Sequence, residues 1–187
     1  NRLWGYRGMR LLREGMAAQA VVDHVTKPDA GAEQRQFHVH DANGGIAVHT
    51  GKNCIDWCGH LVRNGLSVAG NMLAGPDVIA ATAHAFETSK EKSFVRRLIA
   101  AMCAGEAAGG DKRGKQSAAL LIYSTEEYPQ VDIRVDDHAE PIAELKRLCE
   151  KAHERYIPFM RCAPRKAQPW GTLDRQEIEK QIAEYGK

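Results

Sequence analysis

The stretch FHVHDANGGIAVH, at residues 37–49, carries the clearest structural signal in this sequence. Its two ends alternate between apolar and polar residues, which is the period of a strand whose successive side chains point to opposite faces. Between them, Asn43, Gly44 and Gly45 tolerate the positive φ that tight hairpin turns require. The sequence therefore predicts an antiparallel β-hairpin.

Helices are predicted on both sides of this hairpin. Upstream, the spacing of apolar residues indicates helices over residues 3–14 and 16–25. Downstream, Pro76 suits the first turn of a third helix, and Ser89 or Ser93 is expected to cap a fourth.

Three more strands are predicted, at residues 66–69, 117–123 and 131–135. The second is a continuous apolar run typical of a central strand, and the third alternates strictly, so that its valines and isoleucine should face a core. Helices and strands come in groups without regular alternation, which favours a layered α+β sandwich. We expect this core over residues 1–138 and a helical extension over residues 139–187.

The extension has its own pattern. Pro141 is expected to begin a helix, and the stretch at residues 161–169 is basic and contains proline. Asp174 and Glu177 have the spacing of a capping box, which predicts a last helix that ends near Gly186.

Composition argues against several classes of partner. The 187 residues include 26 Lys and Arg against 24 Asp and Glu, a net charge of +2, so neither nucleic acid nor an anionic membrane is expected to bind. No apolar run is long enough to span a bilayer. The five cysteines are odd in number and mostly scattered, which predicts reduced thiols in a cytoplasmic protein.

The sequence GLSVAGNMLAGP at residues 65–76 resembles the domain-of-unknown-function 1028 family, which is grouped with the N-terminal-nucleophile (Ntn) hydrolases. Further similar blocks follow the same order along residues 1–148. They lie at residues 6–8, 49–51, 57–60, 105–111, 113–119 and 131–138. Two features depart from the family pattern: His38 and His40 stand where small or apolar residues are expected, and the tail after Ile157 has no match.

The resemblance implies a four-layer αββα sandwich that hydrolyses a small-molecule amide without a cofactor. Family members usually begin with two further strands, so we expect these to lie upstream of Asn1. The nucleophile is expected on that upstream peptide, because Asn1 has neither hydroxyl nor thiol. Without those strands a sheet edge would be open to pairing, and a homo-oligomer is expected.

Asn71, Asp111 and His60 are the predicted catalytic residues. Asn71 follows Gly70 at a strand end, where its amide could donate to an oxyanion or simply occupy a tight turn. Asp111 lies in a glycine-rich loop that is either a binding loop or an exposed charged loop. His60 is a general base or a hydrogen-bonded structural imidazole.

Arg113, Gln116, Ser117 and Arg134 are the predicted substrate-binding residues. Arg113 and Gln116 share the loop of Asp111, while Arg134 either holds an anion or is ion-paired on the surface. Ser117 begins an apolar strand and is the most attractive hydroxyl, but no base is placed beside it.

Cys54 and Thr50 are weaker nucleophile candidates. His38, His40 and His49 could converge on one hairpin face, where three imidazoles either bind zinc or occupy an exposed surface. Since the fold implied by the resemblance works without metal, no metal is expected. The resemblance implies an Ntn-type hydrolase of a small amide, lactam or ureide, of which this chain is expected to be the larger C-terminal part; the alternative is a non-catalytic metabolite-binding or assembly module on the same scaffold.

Overall fold

The first hairpin forms as predicted. In the computed structural model, which describes residues 1–90 and 92–185, β1 (Gln36–His40) pairs antiparallel with β2 (Ile46–Thr50). Gly44 takes a φ of 83° in the turn, a conformation that glycine adopts without steric cost. The carboxylate of Asp41 accepts hydrogen bonds from backbone N–H groups within the turn and from the N–H of Ala18.

The chain contains seven helices and six strands within the described residues. The helices are α1 (Arg2–Arg13), α2 (Ala18–Thr26), α3 (Pro76–Thr88), α4 (Phe94–Ala107), α5 (Pro141–Glu154), α6 (Tyr156–Met160) and α7 (Arg175–Glu184), with a 3-10 turn at Ala32–Gln34. The other strands are β3 (Gly59–Arg63), β4 (Leu66–Gly70), β5 (Ala118–Ile122) and β6 (Val131–Val135). A mixed α and β chain with antiparallel pairing is thus confirmed. None of the described helices is long and apolar enough to cross a membrane.

The chain divides into two compact units, residues 1–114 and 115–187. The predicted boundary after residue 138 lies inside the second unit, between β6 and α5, and stays a prediction. The last predicted helix is confirmed at its start, where the Asp174 carboxylate accepts the N–H of Gln176. Its predicted end at Gly186 lies outside the described residues.

The first unit has its main core between the first two helices and the hairpin. Trp4, Val21, Val25 and Val39 are each at most 4% exposed there. Gly8 of α1 sits so close to β1 that an added Cβ would lie 3.2 Å from the Phe37 ring. The amphipathic spacing of the two helices therefore buries one face of the hairpin.

A second hairpin was not predicted in full. β3 pairs antiparallel with β4, and only β4 was expected from the sequence. The segment of β3, Gly-His-Leu-Val-Arg, is short and its His60 and Val62 are exposed, so it lacks the apolar density of a buried strand. This hairpin contacts α3, while β2 contacts β3 and β1 contacts β4.

In the second unit, β5 pairs antiparallel with β6, and α5 packs on both strands. Val131 and Val135 are buried and Ile133 is half-buried, as the alternation predicted. The prediction that residues 117–123 form a central strand is wrong for the described residues, because β5 pairs with β6 alone and Leu121 is 56% exposed. A continuous apolar run does not reveal which of its faces is covered.

Candidate functional site

The two faces of the first hairpin differ in character. The register pairs Gln36 with Thr50 and His38 with Val48, so these side chains share one face. Phe37 pairs with His49 on the opposite face, which packs against the first helices. The face that carries Gln36 and His38 meets the second hairpin.

Polar side chains from both hairpins meet at this face. They form the inter-hairpin cluster, which consists of Gln36, His38, His40, Thr50, His60 and Ser67. His60 and Ser67 lie on β3 and β4 and point to the same side of the second hairpin, because Ser67 pairs with Val62, two residues beyond His60.

Ser67 occupies the centre of the cluster. Its Oγ lies 2.9 Å from Nδ1 of His38 and 2.8 Å from Nε2 of His40. A hydroxyl can donate one hydrogen bond and accept others, so one imidazole accepts the Ser67 proton while the other donates to its oxygen. A serine hydroxyl with an adjacent imidazole acceptor is the arrangement that generates a nucleophile.

The environment of His38 indicates which imidazole donates to Ser67 and which accepts from it. Burial, followed by the nearby positive charges of His60 and His40 when protonated, lowers the pKa of His38, which therefore favours the neutral ring. Its Nε2 is buried and has no hydrogen-bond partner among the described residues.

A neutral His38 carries one proton, on either Nδ1 or Nε2. We assign it to Nδ1, because an unpaired N–H donor at the buried Nε2 would cost more than an unpaired lone pair there. His38 then donates from Nδ1 to the oxygen of Ser67. The Ser67 hydroxyl accordingly donates to Nε2 of His40.

A second hydroxyl–imidazole pair joins Thr50 and His60. Nε2 of Gln36 lies 2.9 Å from Oγ1 of Thr50, and that Oγ1 lies 2.9 Å from Nδ1 of His60. An amide nitrogen only donates, so Thr50 accepts from Gln36, and we assign the Thr50 hydrogen to the bond with His60. His60 then carries its proton on Nε2, as a donor instead of an acceptor.

Gln36 also ties the two hairpins together. Its Nε2 also lies 2.9 and 3.2 Å from the carbonyl oxygens of Gly59 and Gly70, so its two N–H groups serve three acceptors and one N–H is shared. Its Oε1 lies 3.5 Å from Nδ2 of Asn71, a long hydrogen bond. The predicted residue Asn71 is therefore linked to the inter-hairpin cluster through Gln36, whereas His60 belongs to the cluster through its bond to Thr50.

The other predicted residues of the first unit pair with each other. Arg113 donates to both carboxylate oxygens of Asp111, at 3.0 and 2.7 Å, and its backbone N–H adds a third contact. These bonds, the side-chain bond first, lower the pKa of Asp111 to about 2, so Asp111 is ionised at neutral pH. Backbone pairing of Asp111 with Leu73 holds the loop beside the end of the second hairpin. Their proposed catalytic and binding roles stay predictions.

Three predicted binding residues belong to the second unit. Nε2 of Gln116 donates to Asp137 at 3.2 Å, and Arg134 pairs with Asp136 at 3.3 Å. Ser117 is exposed. Their roles in binding a substrate likewise stay predictions.

The histidine triplet does not converge. His49 lies on the face opposite to His38 and His40, packs edge-on to Trp4 and contacts the carbonyl oxygen of Ala32 at 2.9 Å. The spacing of the histidines within each strand could not predict this separation. The pairing register decides which face of β2 lies beside His38 and His40. No group of three His, Cys, Asp or Glu side chains in residues 1–90 and 92–185 is arranged to hold a metal ion.

Sequence reasoning missed Ser67 and Gln36 and gave Thr50 little weight. Their contacts join residues 10 to 35 positions apart, across two hairpins of which one was only half predicted. The one available signal was the pair of polar residues at His38 and His40, since a strand face that carries imidazoles is unsuited to a dry core.

Comparisons with known proteins agree on one family. Residues 1–145 match the family model described as a family of unknown function, DUF1028. The fold is similar to the crystal structure of protein SPO2555 from Silicibacter pomeroyi, a DUF1028 protein, with a TM-score of 0.84 and 33% sequence identity. That match covers 94% of this chain and 76% of the other. No curated protein matches the chain.

Proposed function

Since the chain belongs to the family of unknown function DUF1028, which names no reaction, we propose its function from the site: it hydrolyses a carbon–nitrogen bond of a small amide, lactam or ureide at the inter-hairpin cluster. The proposal rests on the position of Ser67 Oγ, which lies within 2.9 Å of two imidazole nitrogens. Hydrolysis of a stable C–N bond needs an activated nucleophile and a proton for the leaving nitrogen, and this cluster supplies groups for both.

In the proposed reaction, Oγ of Ser67 attacks the carbonyl carbon and its proton passes to Nε2 of His40. His38 stabilises the developing alkoxide through its Nδ1–H. His40 then returns the proton to the nitrogen of the substrate as the C–N bond breaks, which leaves an acyl group on Ser67. Water, activated by His40, releases the acid and restores the hydroxyl.

Two donors are available for the negative charge on the carbonyl oxygen. The tautomer assigned to His60 directs an Nε2–H donor away from Thr50, and the amide of Asn71 keeps one N–H beyond its bond to Gln36. Donors fixed before the reaction begins stabilise an oxyanion without reorganisation. Asn71 therefore keeps its proposed role, while His60 acts as a donor, which is neither of the two roles considered for it from the sequence, general base or structural imidazole.

The layering of the first unit supports the four-layer αββα arrangement that we propose for it. Helices α1 and α2 cover one face of the first hairpin, the second hairpin meets the other face, and α3 contacts the second hairpin. Ntn hydrolases combine this layering with a nucleophile at the start of a strand. Here the competing scheme places that nucleophile upstream of Asn1.

Substitution Ser67→Ala separates these schemes. The full chain is screened against small amides, lactams and ureides, with release of ammonia or amine as the readout. Our scheme predicts that Ser67→Ala lowers kcat by at least about 1,000-fold on any substrate found. Ser93→Ala, at an exposed serine before α4 that forms no capping hydrogen bond, serves as the matched control and should retain turnover. Full activity in Ser67→Ala would favour the upstream nucleophile, and binding without turnover in the wild type would favour a metabolite-binding module.

A further inference from the structure

A cavity in the second unit lies apart from every residue used in the proposed reaction. Its volume is about 270 Å³, somewhat below the usual range for pockets that hold drug-sized ligands. The cavity is lined by Pro158, Arg161, Arg165, Gln181, Glu184 and Tyr185. It is built from the basic stretch after α6 and from one side of α7.

A smaller cavity of about 100 Å³ shares two of these residues, Arg161 and Arg165. Its other wall comes from the segment between β5 and β6 and carries the hydroxyl groups of Ser124 and Thr125. Arg161 and Arg165 thus line both cavities and lie between them. A ligand on either side would meet a guanidinium group.

Both guanidinium groups are held in place without a carboxylate. Arg161 lies over the ring of Tyr185, 5.5 Å from its centroid, and Arg165 donates to the carbonyl oxygen of Arg161. Neither forms an ion pair with a carboxylate of the described residues. Arg155 gives the contrast, because its two terminal nitrogens bind Glu179 at 3.0 and 2.6 Å.

We propose that Arg161 and Arg165 bind the phosphate group of a small phosphorylated metabolite in this cavity. A guanidinium group presents two parallel N–H donors that match two oxygens of a phosphate, and the contact with the Tyr185 ring favours one orientation of the Arg161 guanidinium. Glu184 on the wall offsets one of the two positive charges. The remaining charge favours one compact anion over an extended acidic chain.

Calorimetric titration of the full chain with inorganic phosphate, at fixed ionic strength, tests the site. Arg161→Gln and Arg165→Gln are each expected to raise the Kd by at least about tenfold, and Glu184→Gln to lower it. The control Arg175→Gln removes the same charge from α7 without touching the cavity, and its Kd should stay within about two-fold of wild type.

Two further measurements test phosphate binding at this site even if Arg161→Gln unfolds. Arg161→Lys keeps the charge but lacks the planar fork, so it should bind phosphate with intermediate affinity while its circular dichroism matches wild type. Malonate offers two carboxylates in place of a phosphate and should bind more weakly than phosphate. Absence of phosphate binding, tighter binding of malonate, or equal weakening by Arg175→Gln would overturn the proposal.

Discussion

The ten residues of the β1–β2 hairpin are divided between two faces that differ in character. On one face, Val39 and Ala47 are each 4% exposed and pack with Trp4 into the core under the first helices. On the other face, Gln36, His38 and Thr50 are only half-buried and form hydrogen bonds to the second hairpin.

Stability and chemistry are therefore separated between the two faces of one hairpin. Apolar burial stabilises the fold roughly in proportion to the area removed from water, and it is insensitive to pH. A half-buried polar face contributes less to stability but brings titratable groups to within hydrogen-bond distance. Substitutions on one face should therefore change the free energy of unfolding, and those on the other should change turnover.

The largest effect is expected at His40. His40→Gln removes the proposed base and should lower kcat by about 10²- to 10⁴-fold on the substrate that the screen finds. The free energy of unfolding should change by less than about 1 kcal/mol, because His40 is exposed. His24→Gln, at an exposed histidine of α2, is the control. Equal activity of the two variants would remove His40 from the reaction.

On the apolar face, Trp4→Ala should lower the free energy of unfolding by about 3–5 kcal/mol, since Trp4 is 2% exposed in the core. Urea denaturation followed by circular dichroism measures this. Tyr6→Ala, at a residue of the same helix that is 80% exposed, should cost less than about 1 kcal/mol. If the folded fraction of Trp4→Ala lost its turnover completely, the proposed separation of the two faces would fail.

A smaller effect is expected at Thr50. Thr50→Val keeps the shape of the side chain but removes the hydrogen bond that fixes the tautomer of His60, so kcat should fall about 10-fold with little change in KM. Nitrogen NMR of the His60 ring should show the loss of a single preferred tautomer. The control Thr88→Val removes a hydroxyl bonded to a helix carbonyl and should leave both readouts unchanged.

The smallest effect is a dependence of stability on pH through His38. Its pKa is lower in the folded chain than the ordinary 6.5, mainly because of burial and then because of His60 and His40. Below about pH 6.5 the unfolded chain therefore binds more protons at His38 than the folded chain does. The contribution of His38 to the free energy of unfolding is thus fully present above that pH and is lost as the pH falls.

Urea midpoints measured at intervals between pH 7.5 and pH 5 test this point for wild type and for His38→Gln. The wild type should lose stability more steeply as the pH falls, and His38→Gln should flatten the curve. His24→Gln should keep the slope of the wild type. Parallel curves for all three chains would show that His38 keeps an ordinary pKa.

Local patterns were sufficient to predict the first hairpin and most helices. Alternation and the Asn43–Gly45 turn fixed β1 and β2, and Pro76 and Pro141 marked the first turns of two helices. These features depend on residues close together in sequence. β3 was missed because its exposed polar residues give no buried pattern, and it becomes a strand only by pairing with β4.

The site was less predictable for the same reason. His60 and Asn71 were identified as candidates, but Ser67 gains significance only from imidazoles 27 and 29 residues away on another hairpin. His49 was grouped with His38 until the pairing register placed it on the opposite face. Contacts between hairpins depend on tertiary packing, which a single sequence does not encode in its spacing.

Trapping of a covalent intermediate tests whether Ser67 is the nucleophile. Incubation of the full chain with an activated acyl donor, followed by acid quench and peptide mass spectrometry, should show one acyl group on the peptide that contains Ser67. The label should be absent in Ser67→Ala and should form far more slowly in His40→Gln, which lacks the proposed base. A label on any other residue, or labelling that persists in Ser67→Ala, would contradict the proposed nucleophile.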